Sequence, residues 1–515
     1  MPGGGLYALV AYGAQNTLLS GNPDFTYFYK TYKKYSHFSE ESVTQSMDGP
    51  QELFPDQPIQ VRLKIQRIAD LVRDMYFTFD LPDIYCKLIE QRQIQQNFEW
   101  VNFIGCHIIQ NVAFFIGGQK IQEFDGAYIL AKAQADYDTD AYAKWQRLVG
   151  NVPELTTPAI GQYYGGYAGP GGYPIVYPDP AGGNINRPSI FGTEINVPLP
   201  FWFTESTYEA LPLLSLQYHE CEVQVTLRPI NELYRLLDPS GNTVAPGFIM
   251  NPIDPLQPTN PSYSSISDTS EVSIDNFLVD WGVPKPLIKS WPLRPRIQAT
   301  YVYLTDEERQ KFASQGLQYL VRQVTTYQFP GLVSREIVEL YTHNPINRLI
   351  ILPRRSDSLL YRNDVANFTN WPFAATPWIA PVTPYALPIL QSSATGRLIQ
   401  VAGQRPIMRT LRILCDGNEI QEEKPIIFFQ TVVPWKYLKG NPDPNIIVYP
   451  FGLNSPSTQP DGSINSSRIR LFQVDLNPYP LISPGTNYAF DFTVYVENLN
   501  WVEIKSGMGG LKYAL

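Results

Sequence analysis

Four histidines and four cysteines are the side chains of this 515-residue chain best suited to bind a metal or attack a substrate, and their placing is the first thing to test. Cys86, Cys106, Cys221 and Cys415 form no C-x-x-C pair, and His37, His107, His219 and His343 are equally scattered. Zinc centres and disulfide frameworks need closer spacing, so the cysteines read as reduced, structural thiols. His219 lies in an alternating stretch that opens a strand, which predicts a hydrogen-bonded histidine of a β-sandwich. With 48 acidic residues, some pair of carboxylates will fall at glycosidase spacing by chance alone. No G-x-S-x-G elbow, H-E-x-x-H pair or P-loop is present. The glycines from Gly165 to Gly172 lack the flanking strand and helix that turn such a run into a phosphate cradle. Asn367-Phe368-Thr369 and Asn465-Ser466-Ser467 fit the glycosylation sequon, a short pattern that needs secretory-pathway access to matter. The expectation is therefore no catalytic, cofactor-binding or metal-ligating residue, and no enzyme.

What, then, are the elements built for? Aromatic residues make up 13% and charged residues only 17%, with 46 prolines and 35 glycines, the profile of many strands and turns. The length suits two β-sandwiches with separate cores. A formal charge of −9 opposes collection on phosphate backbones, so no direct nucleic-acid binding is expected. Pro-Gly-Gly-Gly at residues 2–5 is no signal-peptide opening, and Val101 to Gly118 carries too many polar groups to span a lipid bilayer.

Strict alternation of apolar and polar residues marks half-buried antiparallel strands at Ile59 to Gln66, Met75 to Leu81, Cys221 to Leu227 and Phe490 to Glu497. Thr305-Asp306-Glu307-Glu308 predicts a capping box opening a short helix, and Ala127 to Leu148 predicts a second helix; both are read as connectors. Residues 150–195, 238–270 and 355–403 are expected to be long irregular loops making surface contacts. An internal repeat is also visible. Gly118 to Glu123 matches Gly417 to Glu422, Pro200-Phe201 recurs as Pro450-Phe451, and Gln224 to Leu227 recurs as Gln473 to Leu476. Their common order predicts a duplicated all-β unit.

At this point the chain resembles the major capsid proteins of nucleocytoplasmic large DNA viruses. The resemblance rests on Gly3 to Leu6, Leu9 to Gln15 and Gly21 to Pro23, on Phe115 to Ile121 and Leu211 to Glu220, and on Tyr301 to Phe312 and Ser506 to Leu511. It implies an all-β double jelly roll of two tandem eight-stranded sandwiches with a few short connecting helices. By that resemblance residues 1–25 are an N-terminal arm, 26–305 the first jelly roll with long loops at 150–195 and 228–295, 306–318 a linker helix, 319–505 the second jelly roll with its loop at 355–403, and 506–515 a tail. It further implies a homotrimeric, pseudo-hexagonal capsomer that meets neighbouring capsomers and minor capsid and vertex proteins in an icosahedral virion shell. Such shells are assembled in the host cytoplasm, with an inner membrane close by. A carbohydrate-binding or carbohydrate-active β-sandwich is the competing reading, favoured by a groove with aromatics and two facing carboxylates. The arm carries no charge from Met1 to Pro23 but many apolar side chains, which predicts that it seats on a surface beneath the sandwiches.

Overall fold

A computed structural model describes the chain except for residues 1–2, 88–96, 159–172, 175, 177–187, 238–241, 252–261, 268–270, 281–282, 287–288, 371–390, 393–397, 400–405, 456–458, 482–487 and 514–515. It comprises two compact units, Met1–Ser39 and Glu40–Leu515. The first contains two seven-residue helices, Gly4–Val10 and Ala14–Ser20, with Leu6, Leu9, Val10, Leu18 and Leu19 exposed.

The second unit is built twice on one plan. The first half supplies β1 (Phe38–Ser46, starting at the unit boundary), β2 (Ile59–Lys64), β3 (Leu71–Asp80), β4 (Ile109–Ile116), β5 (Gln119–Phe124), β6 (Glu194–Pro198), β7 (Cys221–Leu227) and β8 (Arg296–Leu304). The second supplies β9 (Leu317–Leu332), β10 (Glu336–Glu339), β11 (Pro345–Arg355), β12 (Met408–Cys415), β13 (Asn418–Pro425), β14 (Ile447–Pro450), β15 (Phe472–Pro478) and β16 (Phe490–Lys505). One sheet of the first half runs β1-β8-β3-β6 and the other β2-β7-β4-β5; in the second half the orders are β9-β16-β11-β14 and β10-β15-β12-β13. Each of β1 to β8 thus has a counterpart eight labels later, and no described sheet mixes the halves. This is a jelly roll, twice.

All three sequence matches fall on counterparts. Gly118 and Gly417 occupy the β4–β5 and β12–β13 turns, where both central residues have positive φ: 56° and 82° at Gly117 and Gly118, 48° and 80° at Asp416 and Gly417. Such two-residue turns match the right-handed twist of the strands they join. Gln224 to Leu227 lies in β7 and Gln473 to Leu476 in β15, and the Pro-Phe pairs follow or end β6 and β14.

Alternation translates directly into burial on β2, whose Ile59, Val61 and Leu63 are inside while Gln60, Arg62 and Lys64 are exposed. On β16 the expected half-burial holds only in part. Phe490, Phe492 and Val494 fill the second core, but Tyr495 and Glu497 on the opposite face are fully buried too, because the first sandwich covers that face.

The expected helix over 127–148 is two helices, α1 (Gly126–Asp136) and α2 (Thr139–Leu148). The chain is extended at Tyr137 and Asp138, and Asp138 Oδ1 accepts the Ala141 amide at 2.8 Å to start α2. Nor is α1 a connector, since nearly all of it is buried. Helix α3 (Asp306–Ser314) stands where predicted, but Thr305 makes no side-chain cap. Asp70 instead ties the approach to the helix, accepting the Leu304 amide at 2.9 Å and pairing with Arg309 at 3.1 Å.

The three presumed loops contain short regular pieces: a helical turn at Pro153–Thr156, strands at Thr243–Val244, Phe248–Met250 and Tyr263–Ser265, and helix α4 (Ser356–Leu360). Tyr263 stacks on Tyr361 at 4.6 Å and Phe248 meets the same ring edge-on, so aromatic contact gives these segments a small core of their own.

Candidate functional site

The residues singled out for chemistry are dispersed and occupied. All four cysteines are buried thiols, and burial pushes them up to about 12 at Cys86 and Cys221, to about 11 at Cys415, and higher still at Cys106. A thiol held protonated is neither nucleophile nor ligand. His107 is enclosed; burial and the nearby Arg228 and Arg354 hold its pKa well below the ordinary value, so it stays neutral. His37 and His343 lie on the surface. His219 is hydrogen-bonded, its Nδ1 lying 2.8 Å from the Gly509 carbonyl and 3.2 Å from the Gly509 amide. No group of three His, Cys, Asp or Glu residues suited to a metal occurs among the described residues. Asn367 is fully buried, its Oδ1 accepting from the Thr369 amide and hydroxyl, whereas Asn465 is exposed. The run Gly165 to Gly172 lies outside the described residues.

The charged residues that the fold does bring together stand at the junction of the two sandwiches. Helix α1 leaves β5 at Asp125, whose carboxylate accepts the Tyr128 amide at 2.8 Å and also the hydroxyl of Tyr495 on β16 at 2.8 and 2.9 Å. One turn on, Tyr128 donates to Glu497 at 2.6 Å. Arg348 of β11 completes the connection. Its guanidinium grips Asp136 at 2.6 and 3.1 Å, donates to Ser455 at 2.9 Å, and faces Glu497 Oε2 at 2.8 Å, close enough for an ion pair though too bent for a hydrogen bond. Lys132 bridges Asp136 and Glu205 at 3.0 Å each, and Arg322 of β9 lies 3.8 Å from Glu205.

The helical spacing of Tyr128, Lys132 and Asp136 puts all three on the face of α1 that meets the second sandwich. Three cations thus stand against three carboxylates, in a setting where an unpaired charge costs several kcal/mol. Burial alone would raise the Asp136 and Glu497 carboxyls, but Arg348 and Lys132 outweigh it and hold both below the usual carboxylate range. Lys132, Asp136, Glu205 and Arg322 line a cleft of about 590 Å³ together with Asp74, Tyr76 and Lys439. Within it Asp136 and Glu205 are both paired with cations. Just beyond, Glu209 is pushed up to about 7 by burial and the neighbouring Glu205.

Two further clasps hold the halves together. The segment after β11 docks on the first sandwich through Asn363, which donates to the carbonyls of Asn231 and Tyr234 at 2.7 and 2.8 Å, and through Asp364, 3.9 Å from Arg235. At the chain's end, β16 turns back at Ser506 and Gly507 into the strand Met508–Leu511. There Gly507 accepts the Tyr218 amide, Gly509 meets His219, and Leu511 donates to Gln119. Several stretches that carry the family resemblance therefore converge: Phe115 to Ile121, Leu211 to Glu220 and Ser506 to Leu511 touch one another, and Ser215 donates to the Phe312 carbonyl at 3.0 Å.

Two jelly rolls fused side by side, with their polar residues spent on holding each other, define a structural building block of the viral double jelly-roll class. Comparison with known proteins agrees. Residues 26–278 match the family model for the major capsid protein N-terminus, and residues 308–510 match that for the large eukaryotic DNA virus major capsid protein. Relatives named major capsid protein from Phaeocystis pouchetii virus and Chrysochromulina ericina virus are each 25% identical, over 99% of this chain and 99% and 100% of theirs. Among solved structures, the fold matches the PBCV-1 virus capsid (TM-score 0.62, 18% identity, 95% of this chain and 100% of that one) and the Faustovirus major capsid protein (TM-score 0.61, 13% identity, 97% and 96%). The chain belongs to the major capsid protein family of large eukaryotic DNA viruses.

Proposed function

We propose that three copies of this chain form one pseudo-hexagonal capsomer, and that capsomers tile an icosahedral shell assembled in the host cytoplasm. The observation that carries this reading is the buried junction. Arg348, Glu497 and Asp136 fix two equivalent sandwiches rigidly side by side, so that each chain supplies two of six similar posts. Neighbouring capsomers, minor capsid and vertex proteins and a nearby inner membrane are the partners this role calls for, while the formal charge of −9 speaks against direct contact with the genome. The role requires no catalysis and no bound metal. The division into an arm at 1–25, jelly rolls at 26–305 and 319–505, a linker helix between them and a tail at 506–515 belongs to the same proposal. Light scattering of the purified protein tests it: a mass of three 58.4-kDa chains is expected, and a monomer at every accessible concentration would contradict it.

A further inference from the structure

Duplication has a consequence at the surface. In the first sandwich, the helix that follows β5 lies on the outer face of the second sandwich's β11 and β16, where Arg348, Ile350, Tyr495 and Glu497 are all fully buried. The second sandwich carries the counterpart helix after β13, a π-turn Phe428–Val432 running into Val433–Tyr437. Its inner side, Ile426, Phe429 and Val433, fills the second core. Counting from the equivalent turn glycines Gly118 and Gly417, the interface residues Tyr128, Lys132 and Asp136 correspond to Ile427, Thr431 and Trp435. All three are exposed, Ile427 at 58% and Trp435 at 90%, and Val432 beside them stands at 44%. The receiving face has its counterpart as well. On β3 and β8 of the first sandwich the outward residues Tyr76, Gln298 and Thr300 remain partly exposed, where β11 and β16 are covered. One chain therefore carries both halves of a second copy of its own internal contact, the helix side exposed and the sheet side partly so.

We propose that the helix at 427–437 of one chain seats on the outer β3–β8 face of the first sandwich of another copy, repeating between chains the contact that α1 makes within one. The occupant is a second copy because this chain's own second sandwich shows which surface such a helix covers. The contact is head-to-tail, using different patches on the two partners, so it generates a closed ring or an open chain and never a two-fold dimer. The inference rests on the trimer reading above, in which three such contacts close the ring. Burying an exposed Trp and Ile at its centre gives the aromatic and aliphatic anchor that protein interfaces need.

The experiment uses two full-length variants, I427D/W435D on the helix and Q298R/T300R on the sheet, in light scattering at the concentration where the unaltered chain is trimeric. Both are expected to run as single chains with an unchanged melting midpoint, and mixing them is expected to restore one contact and yield a two-chain species. Should the charged helix variant misfold, W435A, which only truncates an exposed ring, takes its place and is expected to lose most of the trimer. Trimers that survive in all of these variants would overturn this inference and leave the trimer reading intact. An unaltered chain that is itself monomeric would sink both.

Discussion

Replacing Arg348 by Met isolates the energetics of the junction. The guanidinium is fully buried and is the main counter-charge to Asp136 and Glu497, which are themselves almost or wholly enclosed. Met fills much of the volume, so the loss is electrostatic: Asp136 keeps Lys132 at 3.0 Å, but Glu497 is left with the Tyr128 hydroxyl alone among the contacts that held it. Removing one partner of a buried pair costs about 3–5 kcal/mol. The m-value grows with chain length beyond the roughly 1–3 kcal/mol/M of small proteins, and at about 5 kcal/mol/M this lowers the urea midpoint by about 0.6–1 M. Unfolding is to be followed at fixed protein concentration, because association adds to apparent stability. The double variant R348M/E497Q removes the stranded charge as well, so its midpoint should lie above that expected from adding the two single losses, by a coupling of about 1–3 kcal/mol. A shift below about 0.3 M for R348M, or strict additivity in the double variant, would refute the view that these charges hold the sandwiches together.

The same network sets a pH limit. Asp136 and Glu497 have depressed pKa values, so their contribution is full above the unfolded carboxyl range near 4 and is lost as pH falls through the folded values; the wild-type melting midpoint should drop steeply below about pH 4, and much less so in R348M/E497Q. Glu209 acts in the opposite sense. Its raised pKa means that its contribution is complete at low pH and is lost as pH rises towards about 7, so E209Q should flatten the decline in midpoint between pH 5 and pH 8. The buried thiols should react with a water-soluble thiol reagent only after denaturation, and prompt labelling of even one in the native protein would contradict their burial. Deleting residues 1–22, whose apolar side chains lie exposed in their own compact unit, should leave trimers of near-normal melting temperature that fail to build shells; normal shells from the deletion would remove that role from the arm.

Much of the architecture was legible because period-two alternation is a local signal. Ile59 to Lys64 and Cys221 to Leu227 declare their buried faces residue by residue, and the Gly118 and Gly417 hairpins declare the duplication. The junction was not legible in that way. Arg348 sits inside Ile346 to Leu352 and Glu497 follows Val494 to Val496, a charge embedded in an apolar strand, which is the one hint available. Nothing local says that Arg348 meets Asp136, more than two hundred positions away, since that pairing exists only once the sandwiches are docked. Burial of Tyr495 escaped the alternation rule for the same reason: a strand reports one core, and β16 serves two. The Thr305 capping box is a local pattern that the fold leaves unused, and the carboxylate that pairs with this helix at Arg309 comes from Asp70, more than two hundred positions away.

The central claim is that this chain builds a shell, and the most direct measurement is an electron cryo-microscopy map of purified particles together with mass spectrometry of their protein content. The account predicts that this chain is the most abundant shell protein and that each surface unit holds three copies, resolved as six upright sandwiches with the helix at 427–437 on the β3–β8 face of the next chain. A chain present only in trace amounts, or surface units that cannot accommodate the double jelly roll, would contradict it.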